Sequence, residues 1–163
     1  MQSRLAAFTL LIVLALAPSV LAGGKKEDKT TVTFHLETEA TDNPKMIFPF
    51  QLANGQTRYF RRVPEISLKD IASFSPFPST TGEEYGLVFR LKENAASRLS
   101  AISAANQGRW LLSQINGRVV DAVTLDKQIN DGVMVIWQGI TLMDLGLLDK
   151  DLPRAGAEGK KKK

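Results

Sequence analysis

Arg109 to Leu125, RWLLSQINGRVVDAVTL, constrains the fold more than any other stretch of this chain. Two runs that read as strands flank Asn116-Gly117, the dipeptide that most readily takes positive φ at both centres of a type I′ turn. The pattern predicts an antiparallel hairpin. A two-residue turn sets Ile115 against Arg118, Ser113 against Val120 and Leu111 against Ala122, because side chains alternate across a strand. Trp110, Leu112 and Gln114 then share the other face with Val119, Asp121 and Val123. Both faces are partly apolar near the base, so that part is expected either to be covered twice or to present hydrophobic surface. Trp110 is read as a core anchor first and a contact residue second.

Elements on either side follow from periodicity. Thr31 to Glu37 alternates, with Val32, Phe34 and Leu36 on one face and His35 on the polar face, which predicts a half-buried strand carrying a surface histidine. Lys45 to Phe50 is short and apolar, and Pro49 makes it an edge strand or extended segment. Asn54-Gly55 marks a second tight turn, and Thr57 to Val63 reads as the returning strand. Arg58 and Arg62 share one of its faces with Phe60, opposite Arg61. This is an anion or acidic-partner patch, or an edge strand guarded by charge. Ser67 with Asp70 three residues later predicts a capped short helix within Pro64 to Ser73. The prolines, serines and threonines of Ser73 to Gly82 predict a loop, in which Phe74 and Phe77 either tuck into the core or await a partner. Glu84 to Leu91 is a second clean strand. Lys92 to Asn106 is the best helix, with Ala95, Leu99 and Ile102 on one narrow face and Asn106 and Gly108 as its stop. Asp126 to Gly132 is a turn-rich link, and Val133 to Trp137 a short apolar strand. Thr141 with Asp144 caps a last helix whose inward residues are Leu142, Leu145 and Leu148, ended by Pro153.

The ends carry different signals. Residues 1–22 combine a short start with one positive charge, the apolar run Leu5 to Ala17, and an end at Val20-Leu21-Ala22 that is small at its first and last positions, the layout of a secretory signal peptide. Residues 23–30 read as a flexible lead-in, 31–152 as a single α+β domain, and 153–163 as a disordered basic tail. No second apolar stretch is long enough to span a bilayer, so no transmembrane span is expected after cleavage. The chain would be periplasmic or secreted, or tethered to the cytoplasmic membrane if the signal stays uncleaved. It has no cysteine, so an exported domain of this kind holds together by packing alone. Arg4 leaves with the signal, and four of the 21 basic groups are Lys160 to Lys163; the remainder is 16 basic against 17 acidic. A nearly neutral domain argues against nucleic-acid binding, which calls for charge clustered on a folded face.

Catalytic constellations are missing. A nucleophilic triad needs a base oriented beside a serine or cysteine, and His35 stands in no such context. Asp121, Asp126 and Asp131 are spaced like solvated aspartates rather than the dense oxygen ligands of a metal loop. Gly-rich phosphate loops are absent. The chain is read as a non-enzyme with no cofactor and no metal.

From Tyr85 to about Asp151 the order of signals resembles the head of the first large periplasmic domain of the SecD and SecDF protein-export membrane proteins. The resemblance rests on YGLVFRLKENAASRLSAIS, then Asn106 to Arg109, the strand into Asn116-Gly117-Arg118-Val119-Val120, the Ile129 and Gly132 link, Val133 to Ile136, and Thr141 with Asp144. Upstream, Arg61 to Phe74 looks like the segment leading into that head. The family usually has Asp-Gly at the turn, proline at the position of Val123 and glycine at that of Gln138. This chain also lacks the family's transmembrane helices, so no proton-conducting residue carries over. The resemblance implies an α+β fold, an antiparallel or mixed sheet with two main helices packed on it, ferredoxin-like in spirit. It further implies contact with polypeptide outside the membrane.

Two functional readings result. The first is an exported non-catalytic module that binds polypeptide or a protein partner, linked to protein export or envelope function, through Phe74, Phe77, Arg58, Arg61, Arg62 and Trp110. The second is a module held on an anionic envelope surface by the lysine tail and the arginine cluster, with binding that weakens steeply in salt. A hydrolase acting through His35 and a serine is the remote third.

Overall fold

The computed structural model describes residues 29–80 and 82–156. The expected signal peptide, most of the expected lead-in and residues 157–163 of the expected tail lie outside them. Among the described residues, nine strands and two α-helices follow in the order β1 (Val32–Thr38), β2 (Ile47–Gln51), β3 (Thr57–Arg61), β4 (Ile66–Ser67), β5 (Ile71–Pro78), β6 (Tyr85–Leu91), α1 (Glu93–Ala105), β7 (Trp110–Ile115), β8 (Arg118–Thr124), β9 (Val133–Ile140) and α2 (Leu142–Asp151). The class is α+β, as expected. The strands form two antiparallel sheets where a single one was expected. One runs β2-β3-β1-β7-β8 with β4 also paired to β1, and the other runs β5-β6-β9.

β1 organises the larger sheet. One edge pairs with β7 from Val32↔Ile115 to Leu36↔Leu111, while the other takes β4 at Thr33–Phe34 and β3 at Glu37–Thr38. Phe34 and Leu36 point into the main core with Phe74, Leu87, Phe89 and Ile136 of the second sheet and with Leu99, Leu145 and Leu148 of the helices. Phe34 and Phe89 meet edge to face, their ring centroids 6.1 Å apart, which joins the two sheets across that core.

The opposite face of β1 is covered as well. The β2–β3 ribbon, turned at Asn54-Gly55, brings Phe48 edge-on to the His35 ring at 5.4 Å, and Phe60 is fully buried beside Phe48. His35 is therefore buried, not on a solvated face as its alternation pattern implied. Its Nδ1 donates to Arg61 O (2.8 Å) and its Nε2 accepts from Thr33 Oγ1 (2.9 Å), the only tautomer that suits a carbonyl partner. Burial lowers its pKa below the ordinary value of 6.5, against the opposing pull of the Arg61 carbonyl and the Glu65 charge. A histidine whose folded pKa lies below its unfolded value leaves the unfolded chain holding more protons between the two. Stability should thus be full above about pH 6.5 and fall as pH drops from there toward the folded pKa. Urea midpoints between pH 7.5 and 5 should show this slope in the native sequence and lose it in His35→Gln. An equal slope in both would contradict it.

The hairpin turn is as expected, with Asn116 at φ 51° and Gly117 at φ 75°. Its register is not. Ile115 faces Arg118 and Gln114 faces Val119, but Ser113 then pairs with Asp121 and Leu111 with Val123. Val120 is the extra residue of a bulge, which shifts every pairing beyond it by one. The expected short helix at Ser67 is a single 3₁₀ turn, Leu68–Asp70, closed by the expected Ser67–Asp70 capping box.

The expected loop at Ser73 to Gly82 is largely strand β5. Pro76 and Pro78 fit because β5 is an edge, where a missing N–H can face outward. A register slip at Ala72 breaks the alternation that would have shown it. Gly86 of β6 lies under the Phe77 ring, and a Cβ there would also come within 2.8 Å of Ile136 O. Because a backbone oxygen in a paired strand cannot move aside, Gly86→Ala should cost about 1–3 kcal/mol in a urea titration. An unchanged midpoint would show that the strands are not packed this closely.

Both helices cover the core, with two departures. Leu142, expected inward, is exposed, whereas Asp144, Leu145 and Leu148 are buried. The expected disordered tail also begins with placed residues. Phe74 N donates to Pro153 O, Ala155 N donates to Phe74 O, and Arg154 pairs with Asp149 at 2.7 Å.

Candidate functional site

β8 and β9 are the terminal strands of the two sheets, and they lie side by side without a ladder between them. The seam is tied at one end by side chains. Arg118 Nη1 donates to Gly139 O (2.9 Å), and Trp137 N donates to Asp121 Oδ2 (2.9 Å), while Oδ1 of the same carboxylate accepts from Ala122 N (2.8 Å). Toward the other end the strands border a cavity of about 740 Å³. Phe34, Leu111 and Met134 reach it from the core, Val123 and Leu125 from β8 and its end, and Val133, Val135 and Trp137 from β9. The 126–132 link borders it as well.

That link is held against α1. Ile129 N donates to Ser103 Oγ (2.9 Å), Ser100 Oγ donates to Asn130 Oδ1 (2.7 Å), and Gln128 Nε2 donates to Ser100 Oγ (2.8 Å). Ser103 is wholly buried and also donates to Leu99 O. A turn-rich segment anchored by side-chain hydrogen bonds keeps the groove formed without a guest. Trp137, 61% exposed, stands at its edge with the half-buried Phe77 ring 6.1 Å away.

The expected contact residues do not come together. Phe74 is fully buried beside Phe89 and takes the core alternative of its two readings. Phe77 stays half-buried and reaches the groove only through Trp137. Trp110 is half-buried and lines a separate hollow of about 470 Å³ with Phe50, Leu52 and Val120. Arg58 Nη1 pairs with Glu37 at 2.8 Å and Arg61 Nη1 with Glu65 at 3.0 Å, so two of the three arginines are neutralised within the fold; Arg62 is exposed. Nor is β3 an edge strand: it lies between β2 and β1, and β2 is the edge.

Trp137 is the residue that sequence reasoning passed over. Met134 and Ile136 are buried in β9, so alternation alone turns Trp137 outward; reading Val133 to Trp137 as wholly apolar hid this. His35, with both ring nitrogens engaged, offers no base to a serine, which removes the geometry the hydrolase reading required. Among the described residues, no three of His, Asp and Glu stand close enough to hold a metal ion. No helix among them is long and apolar enough to cross a membrane.

No protein family's model matches the chain, and no curated protein does. Solved structures do. A structure of SecDF, a membrane component that enhances protein export, superposes with a TM-score of 0.54 at 15% identity, over 78% of this chain and 64% of that one. SecDF in its super-membrane-facing form gives 0.53 at 14% identity, over 77% of this chain and 19% of that one. This chain therefore spans less than two thirds of either. At such identities the likeness is one of fold, and the fold that the sequence resemblance implied, that of a SecD-like periplasmic domain, is the one this chain has.

Proposed function

We propose that this chain is an exported, non-catalytic module that binds polypeptide outside the cytoplasmic membrane, in the service of protein export or envelope function. The observation that carries the reading is the groove between β8 and β9, preformed, walled by aliphatic side chains and edged by an exposed tryptophan. Concave apolar sites with a few convergent polar groups are where ligands bind. The likeness to SecDF and the signal-like residues 1–22 support an export-related setting.

The arginine cluster supports the anionic-surface reading less than it did in the sequence, because Arg58 and Arg61 already have acidic partners. A photoreactive residue in place of Trp137 should cross-link a permanently unfolded polypeptide, and the same residue in place of Arg62 should not. Cross-linking at Arg62 alone would move the site to the ribbon. No cross-link at either position would remove polypeptide binding, and cell fractionation that recovers the chain in the cytoplasm would remove export.

A further inference from the structure

We propose that the groove takes its guest as an added β-strand, an extended apolar polypeptide segment flanked by lysine or arginine, paired through backbone hydrogen bonds to the open edges of β8 and β9. The inference rests on the polypeptide-binding reading and specifies how that site works.

Strand alternation identifies the groups that face the groove. Leu91 N donates to Gly132 O, and Phe89 and Leu87 pair with Met134 and Ile136. Residues 132, 134 and 136 therefore turn their peptide groups to β6, and those of Val133 and Val135 point the other way. On β8, Leu125 N donates to Arg109 O and Val123 pairs with Leu111, so the peptide groups of Ala122 and Thr124 point outward. Three outward amides agree with this phase. Trp137 N and Ala122 N both find the Asp121 carboxylate, and Val133 N finds Asp131 Oδ1 (3.0 Å). Past Asp121 the walls present the N–H and C=O of Val135 and Thr124, with the carbonyls of Val133 and Ala122. Backbone groups of this kind, set among apolar side chains, demand partners. An extended chain supplies them in the right spacing, as in strand addition to a sheet edge.

The strands that end the two sheets, β2, β8, β5 and β9, are not treated alike. β2 carries Pro49, and β5 carries Pro76 and Pro78 and is further covered where Pro153 and Ala155 bond to Phe74. Proline and covering segments are the usual guards against unwanted pairing. β8 (RVVDAVT) and β9 (VMVIWQGI) have neither proline nor lysine, and they are the two edges that meet at the groove. Across the seam Arg118 lies by Gly139 and Asp121 by Trp137, so β8 and β9 run antiparallel. An inserted strand is antiparallel to one and parallel to the other. At the mouth, Asp126 and Asp131 outnumber Lys127, which favours a guest with basic flanks.

The test uses a peptide of alternating valine and threonine with a lysine at each end, about nine residues long. Its analogue is N-methylated at every second residue, so that one edge loses its donors while the side chains stay. Binding is read from titration calorimetry, and the site from hydrogen exchange at Thr124 and Val135. The unmodified peptide should bind and slow exchange at both amides. N-methylation should weaken it by at least about tenfold, the loss of a few backbone hydrogen bonds, and glutamate flanks should weaken it too. Val135→Pro, which removes an outward N–H without touching the pairing to β6, should weaken it likewise. Equal affinity for the N-methylated analogue would overturn strand addition and leave polypeptide binding standing. Failure of these peptides and of the unfolded polypeptide alike would remove both. A dimer in sedimentation, with the same two amides protected before peptide is added, would overturn the proposal in favour of a second copy of this chain.

Discussion

Phe74→Ala should lower the free energy of unfolding by about 3–5 kcal/mol, the range for deleting a fully buried phenylalanine. Phe74 has no exposed surface, faces Phe89 across the β5–β6 ladder, and lies in the cluster with Leu87 and Ile136. Its ring is also capped by the Arg154 guanidinium, 5.8 Å from the centroid. A loss of this size is a large share of the stability of an ordinary domain of this length. It separates Phe74 from Phe77, three residues on. Phe77 is half-buried, and Phe77→Ala should cost less than half as much. Urea denaturation of the two variants checks this. Similar costs would mean that β5 does not present its two rings so differently.

Asp144→Ala should cost about 2–4 kcal/mol, because it removes a helix cap and a part-buried ion pair together. Asp144 Oδ2 accepts from Thr141 N (3.0 Å), Thr141 Oγ1 (2.8 Å) and Arg118 Nη2 (2.8 Å), and Oδ1 accepts from Asn116 Nδ2 (3.1 Å). One carboxylate thus fastens the start of α2 to the hairpin tip. Burial alone would raise its pKa, but the bonds from Thr141, the Arg118 charge and the Asn116 amide outweigh it and hold the pKa below the usual value of 3.8. Asp70 is depressed too: burial opposes, and Arg98 and Ser67 prevail. A depressed carboxylate contributes stability that is present above its unfolded pKa and is lost as pH falls through the folded one. Both contributions should therefore persist down to about pH 4 and fade below it. Asp144→Ala should flatten the acid limb of the stability curve. An unchanged limb would show that Asp144 is not the group titrating there.

The same contact explains why this hairpin turns on Asn-Gly instead of Asp-Gly. Asn116 donates to Asp144 while its Oδ1 accepts from Thr31 N (3.0 Å), and its own N donates to Thr31 O. An aspartate has no donor to offer, and its charge would face that of Asp144. Asn116→Asp keeps the turn chemistry and should still destabilise the domain by about 1–2 kcal/mol at neutral pH.

Wherever neighbours in sequence decide the outcome, the elements were legible. The Asn116-Gly117 turn, the Thr141–Asp144 box, the β6 alternation and the edge character at Pro49 all rest on local geometry. The misreadings share a cause. His35 is buried because a ribbon far along the chain folds over a face that looked polar. β5 escaped notice because a slip at Ala72 breaks its period, and the hairpin register moved because of one bulged residue at Val120. The predicted contacts came from composition, arginines on a strand and aromatics in a loop, whereas partners and burial are set by what packs against them.

By itself, then, the sequence determined the class, the hairpin, both helices and the likeness to a SecD-like domain, since propensity, capping and alternation act over a few residues. Tertiary structure alone decided the groove. It exists because two sheet edges far apart in the chain converge, are stitched by Asp121 and Arg118, and then part. No local pattern encodes which two edges meet, because that depends on strands brought together from across the whole chain.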